Sequence, residues 1–188
     1  MVVIKYAVLF IIVSLLSIFT FAKPTKIFYP QVTGVECVEQ WLCIDDKDKL
    51  DEAIQLYENA FKNVENKLTK FVERPTVIFC STLECFTKFG FEKAAAKSIG
   101  GFGVVVAPRG WTVYFVEHEM IHEWQVENFG LTSIVLAPKW LKEGMAYSVS
   151  DDPREVLEEP FESFRKQYEE KFGLTRGAEL IALLENEL

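Results

Sequence analysis

The sequence predicts an α+β fold with a small mixed sheet, on three observations. Runs rich in β-branched and aromatic residues come mostly before residue 110, while helical periodicity dominates afterwards, so strands precede helices instead of alternating with them. The segment that carries both histidines of the chain is apolar on several sides, with Val113, Phe115, Val116, Met120, Ile121 and Trp124 around a polar stripe. A helix of that kind belongs inside a domain. At 188 residues the chain is long enough for one domain with a real core and too short for two comfortable ones.

The elements follow in order. Tyr6 to Ala22 holds no charge, Lys5 precedes it, and Lys23 and Lys26 follow. This apolar run is long for a signal-peptide core and short for an independent membrane span. Residues 1–22 therefore read as a secretory signal cleaved near Ala22 or as an uncleaved signal anchor, although Thr20 is an imperfect cleavage-site residue. Either way residues 23–188 form the folded domain and lie outside the cytoplasm, with the membrane met only through the N-terminal segment. Residues 26–44 read as short extended pieces broken by Pro30 and Gly34. Leu50, Ile54, Tyr57, Phe61, Val64 and Leu68 then repeat at helical spacing, with Asp46 or Asp48 as N-cap.

"RPTVIFCS", residues 74–81, is a buried strand, and residues 82–101 read as a short helix and a loop. "FGVVVAP", residues 102–108, is a second strand, bounded by glycines and by Pro108. Gly100, Gly101 and Gly103 resemble a phosphate loop only weakly, since the Lys-Ser/Thr ending and the strand-before-loop order are missing. The histidine-bearing helix comes next, then a loop around 129–137, a helix from Pro138 to about Ser148, and two helices in an acidic tail.

Charge and cysteine content narrow the function. A net charge of −8 argues against nucleic-acid partners, whose binding needs concentrated Lys and Arg. Residues 151–188 hold 11 acidic and 5 basic side chains, most simply a solvated helical face. Cys37, Cys43, Cys80 and Cys85 all follow the leader. In an oxidising compartment their spacing favours the local disulfides Cys37–Cys43 and Cys80–Cys85. The alternative, a four-cysteine zinc site, would need a wider first pair than such sites usually have.

The chemistry concentrates in "TVYFVEHEMIHEW", residues 112–124. His118 and His122 stand four apart, so both imidazoles project from one helix face and can reach one metal ion. Glu119 lies about 100° further round. There it can take a proton from a water that the metal activates. Shuffling this composition produces the pattern in about one sequence in 800. The plain alternative is one core histidine and one exposed one. A catalytic metal wants a third protein ligand and an open position, and "PKWLKEGMAYSVSDD", residues 138–152, offers Glu143, Asp151 and Asp152.

H-E-x-x-H followed some twenty residues later by W-L-x-E-G-x-A resembles the gluzincin metallopeptidases, including their minimal, peptidase-MA-like members. The resemblance covers residues 112–147 and implies a zincin-like fold. It also implies Zn2+ held by His118, His122 and Glu143, with Glu119 as general base and acid on a peptide or protein substrate. Glu143 is expected to complete the sphere, with Trp140, Leu141 and Met145 anchoring its helix on the histidine helix and Gly144 letting the two approach. Asp151 and Asp152, just before Pro153, are expected to cap the next helix instead.

The chain departs from that pattern in having no further histidine to hold an oxyanion. Tyr147, one turn after Glu143, is the candidate for that donor or for a partner of a ligand, with Tyr114, Arg154 and a plain core role for Tyr147 as alternatives. No G-x-M-E-N signature is present, which favours an endopeptidase over an aminopeptidase. Residues 102–108 are the expected edge strand for an extended substrate. The competing functional classes are an inactive zincin-fold binding module and a small secreted protein whose motif is accidental.

Overall fold

The computed structural model describes Tyr6, residues 23–173 and residues 175–187. The expected leader thus lies, Tyr6 aside, outside the described residues. Among the described residues no helix is long and apolar enough to cross a membrane.

The architecture is α+β around a five-stranded mixed sheet. Its strands are β1 (Glu36–Glu39), β2 (Leu42–Ile44), β3 (Val77–Phe79), β4 (Ala96–Ser98) and β5 (Val104–Val106), in the spatial order β1-β2-β3-β5-β4. The three central strands run parallel, and β1 and β4 are antiparallel edges. The helices are α1 (Lys23–Phe28), α2 (Leu50–Lys67), α3 (Leu83–Lys88), α4 (Val113–Phe129), α5 (Leu131–Leu136), α6 (Lys139–Val149), α7 (Phe161–Phe172) and α8 (Gly177–Leu184).

The period of two along each central strand explains how this sheet is covered. Leu42, Ile44, Val77, Phe79, Val104 and Val106 point into the main core, which α2, α4, α6 and α7 complete. Cys43, Ile78 and Val105 point the other way, into a smaller cluster with Ile27, Phe86 and Phe89. Burying each such side chain contributes about 1.5–3 kcal/mol. That is how three-residue strands hold a sheet together. The cysteine pairs favoured by spacing are the ones at bonding distance, Cys37–Cys43 with S–S 2.01 Å and Cys80–Cys85 with S–S 1.98 Å.

Several local expectations need correcting. Residues 26–28, expected as extended, belong to the helix α1, because Ile27 docks into the small cluster while Lys26 Nζ donates to the carbonyl of Lys88 at 2.6 Å. The expected loop after α3 contains a strand, Ala96–Ser98, whose composition has little β preference and which exists through its pairing with β5. Residues 102–108 are therefore not an edge, since β5 lies between β3 and β4. The glycine cluster makes the β4–β5 turn, with φ of +55°, +83° and +139° at Gly100, Gly101 and Gly103, values that favour residues without a Cβ. Finally, the expected loop around 129–137 contains the short helix α5.

The expected helix around 138–148 is α6, and the acidic tail holds the two expected helices, α7 and α8. Gly144 does allow a close approach, but to a different partner. A Cβ there would sit 2.3 Å from the carbonyl oxygen of Phe164 and 2.8 Å from Cβ of Tyr168, both on α7. Trp140 likewise stacks on Phe172 of α7. The first tail helix is thus part of the scaffold that holds α6. Asp151 and Asp152 do not cap the next helix, which starts only at Phe161. Asp151, with φ +50°, ion-pairs with Lys67 at 2.7 Å, and Asp152 accepts from the backbone and guanidinium of Arg154.

A candidate metal centre between two helices and an edge strand

Ten consecutive residues of α4, Val116 to Gln125, are buried. Its outer sides pack on α2, on the sheet and on α6, which forces its ionisable residues to find partners inside the protein. Glu117 does so through Lys67 Nζ at 2.5 Å and Asn63 Nδ2 at 3.3 Å. Glu123 accepts from the Ser98 hydroxyl at 2.6 Å and the Gly101 amide at 3.4 Å. Burial nevertheless pushes the Glu123 carboxyl above its ordinary range.

The histidines are treated differently. His118 Nδ1 and His122 Nε2 are buried and have no hydrogen-bond partner among the described residues. Their Nε2 atoms lie 3.5 and 3.6 Å from one oxygen of Glu143, which α6 brings across from α4. His118, His122 and Glu143 each offer one ligand atom, and these atoms all lie within 4.8 Å of one another. Donors ~2.1 Å from one tetrahedral ion stand ~3.4 Å apart, so the two imidazoles and the carboxylate fit a single metal ion. Neither Asp151 nor Asp152 belongs to this group.

The three groups also perturb one another electrostatically. Burial works to raise the Glu143 carboxyl, but the two imidazoles opposite overcome it and hold the group well below the usual carboxylate range. Burial works to lower His122, and the carboxylates of Glu143 and Glu119 reverse that too. Gln125, also buried, orients His122. Its Oε1 lies 2.9 Å from His122 Nδ1, and its Nε2 donates to the carbonyl of Lys142 on α6 at 3.1 Å. With Nδ1–H donating to Gln125, the lone pair of Nε2 is left facing Glu143.

Glu119 points towards β4, where its carboxylate accepts the Ser98 N–H at 2.6 Å. It lines a hollow of about 440 Å³ together with residues 93–97, Phe115, His118, Glu143, Tyr147 and Phe161. Two larger hollows, of about 850 and 580 Å³, lie by α1 and β1 and contain no histidine, so size does not locate the chemistry here. The Tyr147 ring stands 4.4 Å from that of His118, and burial, then the charge of Glu143, raise its hydroxyl pKa against the opposing pull of Arg154. Its hydroxyl remains a donor. Arg154 lies over the rings of Tyr114, Phe115 and Tyr147 while Asp152 holds its guanidinium.

Sequence reading singled out His118, Glu119, His122, Glu143 and Tyr147; the fold gathers four of them around one hollow and sets His122 beside His118 and Glu143. It missed Gln125 and Ser98. Gln125 stands three residues after His122, a helical-neighbour spacing that could have flagged it. Ser98 carried no local signal, because its role depends on how β4 passes α4. Compared with known proteins, the chain matches no family model, and no curated protein or solved structure is significantly similar to it.

Proposed function

We propose that this protein is an exported zinc metallopeptidase of the gluzincin type, an endopeptidase acting on extended peptide segments. One observation carries the reading. Two imidazole nitrogens and one carboxylate oxygen converge within 4.8 Å, while the Glu that follows the first histidine faces the same hollow. Two nitrogens and one oxygen suit zinc, and three protein ligands leave a position open for chemistry. The paired cysteines are compatible with a location outside the cytoplasm.

His118, His122 and Glu143 would hold the ion. Zinc held there supplies Lewis acidity, which lowers the pKa of water and polarises a carbonyl. The rest is done by side chains and backbone. Glu119 takes the proton of the attacking water and later delivers it to the leaving amine. The Tyr147 hydroxyl offers a donor to the oxygen on which charge develops. The substrate strand is received by β4. Ala95 and Ile99 turn their backbone groups to β5, so Ala96 and Ser98 present theirs to the open side. Glu119 occupies the Ser98 N–H, and the backbone of Ala96 remains at the wall of the hollow for pairing with a peptide.

Metal analysis and turnover of a casein-like or mixed-peptide substrate, measured on one sample, test the reading. Wild-type protein should carry one zinc per chain and cleave. Glu119→Gln should keep the zinc and lose hydrolysis, since Glu119 moves protons and binds no metal. Turnover by zinc-loaded Glu119→Gln would refute this assignment. Zinc uptake without turnover in the wild type would indicate a non-catalytic binding module instead.

A further inference from the structure

The short helix α5 is unusually apolar for its exposure. Leu131, Val135 and Leu136 are 42%, 65% and 78% exposed, and only Ile134 of this helix is buried. A six-residue helix has no stability of its own. Spending exposed leucine and valine on it next to the candidate metal centre is a cost that calls for something to cover them.

A second hollow, of about 140 Å³, lies between α5 and the centre. It shares His122 and Glu143 with the ligand set, and its apolar wall is Val126, Leu131, Ile134 and Val135. Ser98, Gly100, Lys97 and Lys142 complete the lining, and neither lysine takes part in an ion pair among the described residues. Glu143 and Lys97 also line the larger hollow on the His118 side, so the two hollows meet at the centre. A peptide paired to the free edge of β4 would cross both, with alternate side chains directed towards α4.

We propose that α5 is the wall of a specificity subsite, on the His122 side of the scissile bond, that takes one aliphatic side chain of the substrate. This deepens the peptidase reading and rests on it. A cavity of roughly 150 Å³ with aliphatic walls takes a benzene-sized group, which suits Leu, Val, Ile or Met and is small for Trp. Lys97 and Lys142 repel a basic side chain, and no carboxylate other than the metal-facing Glu143 is present to receive one. The subsite therefore prefers aliphatic over cationic residues.

The experiment uses the zinc-loaded full chain in two arms. In the first, wild-type protein cleaves a peptide library and the products are sequenced. Leu, Val, Ile or Met should be enriched at one fixed position beside the cleaved bond, about 10-fold or more over Lys and Arg. Val135→Glu, an exposed change expected to keep one zinc per chain, should move that position towards Lys and Arg. In the second arm, Glu119→Gln binds Ala-rich peptides carrying one central Leu or one central Lys, with tighter binding of the Leu peptide expected by a similar factor. Cleavage without a preference at any position, or a Val135→Glu profile identical to the wild type, overturns the subsite and leaves the peptidase reading intact. Absence of cleavage with retained preference for the Leu peptide removes the peptidase reading and keeps the subsite. Equal binding of both peptides overturns the subsite whatever the turnover.

Discussion

Two of the buried polar clusters on helix α4 differ in one respect. On the side facing α2, Glu117 is met by Lys67 and Asn63, and Lys67 also donates to the carbonyl of Val149 and pairs with Asp151. Every group there has its partner. On the side facing α6, His118 and His122 converge on Glu143 but leave buried nitrogens unbonded. A buried polar atom without a partner costs about 1–3 kcal/mol. The first cluster is finished by the protein alone and ties elements together. The second is left open by the protein alone, and its two imidazoles and carboxylate could hold a metal ion.

Removing a ligand should give the largest contrast between the two. Glu143→Ala is expected to weaken zinc binding by one to several orders of magnitude and to abolish hydrolysis. Asp152→Ala, which loses the contacts with Arg154, should leave the zinc stoichiometry unchanged. Competition with a chelating dye measures both. Normal zinc binding by Glu143→Ala would break the ligand assignment.

Next comes the finished cluster. Lys67→Met strands the Glu117 carboxylate in the interior and should cost about 3 kcal/mol in urea denaturation. Adding Glu117→Leu to it should recover most of that loss, because an apolar pair needs no partner. Folded Lys67→Met should still bind one zinc. Loss of the metal from a folded sample would show that the two clusters are one.

The smallest effect concerns the support of a ligand. Gln125→Ala should weaken zinc binding by about 10–100-fold, since His122 loses the acceptor that orients it. Gln125→Glu retains an acceptor for Nδ1–H and should regain most of the affinity. Equal affinities for all three proteins would mean that Gln125 only packs.

Much of this was legible in the sequence, and the reasons are local. The i, i+4 spacing of His118 and His122 sets both imidazoles on one face by helix geometry alone. The periodicity of α2 and the β-branched runs of β3 and β5 likewise need no tertiary information, and cysteines six and five residues apart can meet across a turn or hairpin. Glu143 came within reach because it falls in a short segment that also has helical spacing. What escaped was set by contacts between distant segments. Ala96–Ser98 became an edge strand through β5, Gly144 turned out to serve α7, Asp152 folded back on Arg154, and exposed apolar α5 came to stand beside His122.

The sequence by itself determined the α+β class, the helix that presents His118, Glu119 and His122, and the local cysteine pairing, because each depends on residues close together in the chain. Only the tertiary structure decided that Glu143 rather than Asp151 or Asp152 meets the histidines, that β4 rather than β5 is the free edge, and that Glu117 is satisfied while the imidazoles are not. Those outcomes depend on which groups are left facing one another once the sheet and helices have buried their apolar faces. Burial is cooperative across the whole chain, and no short stretch of sequence encodes it.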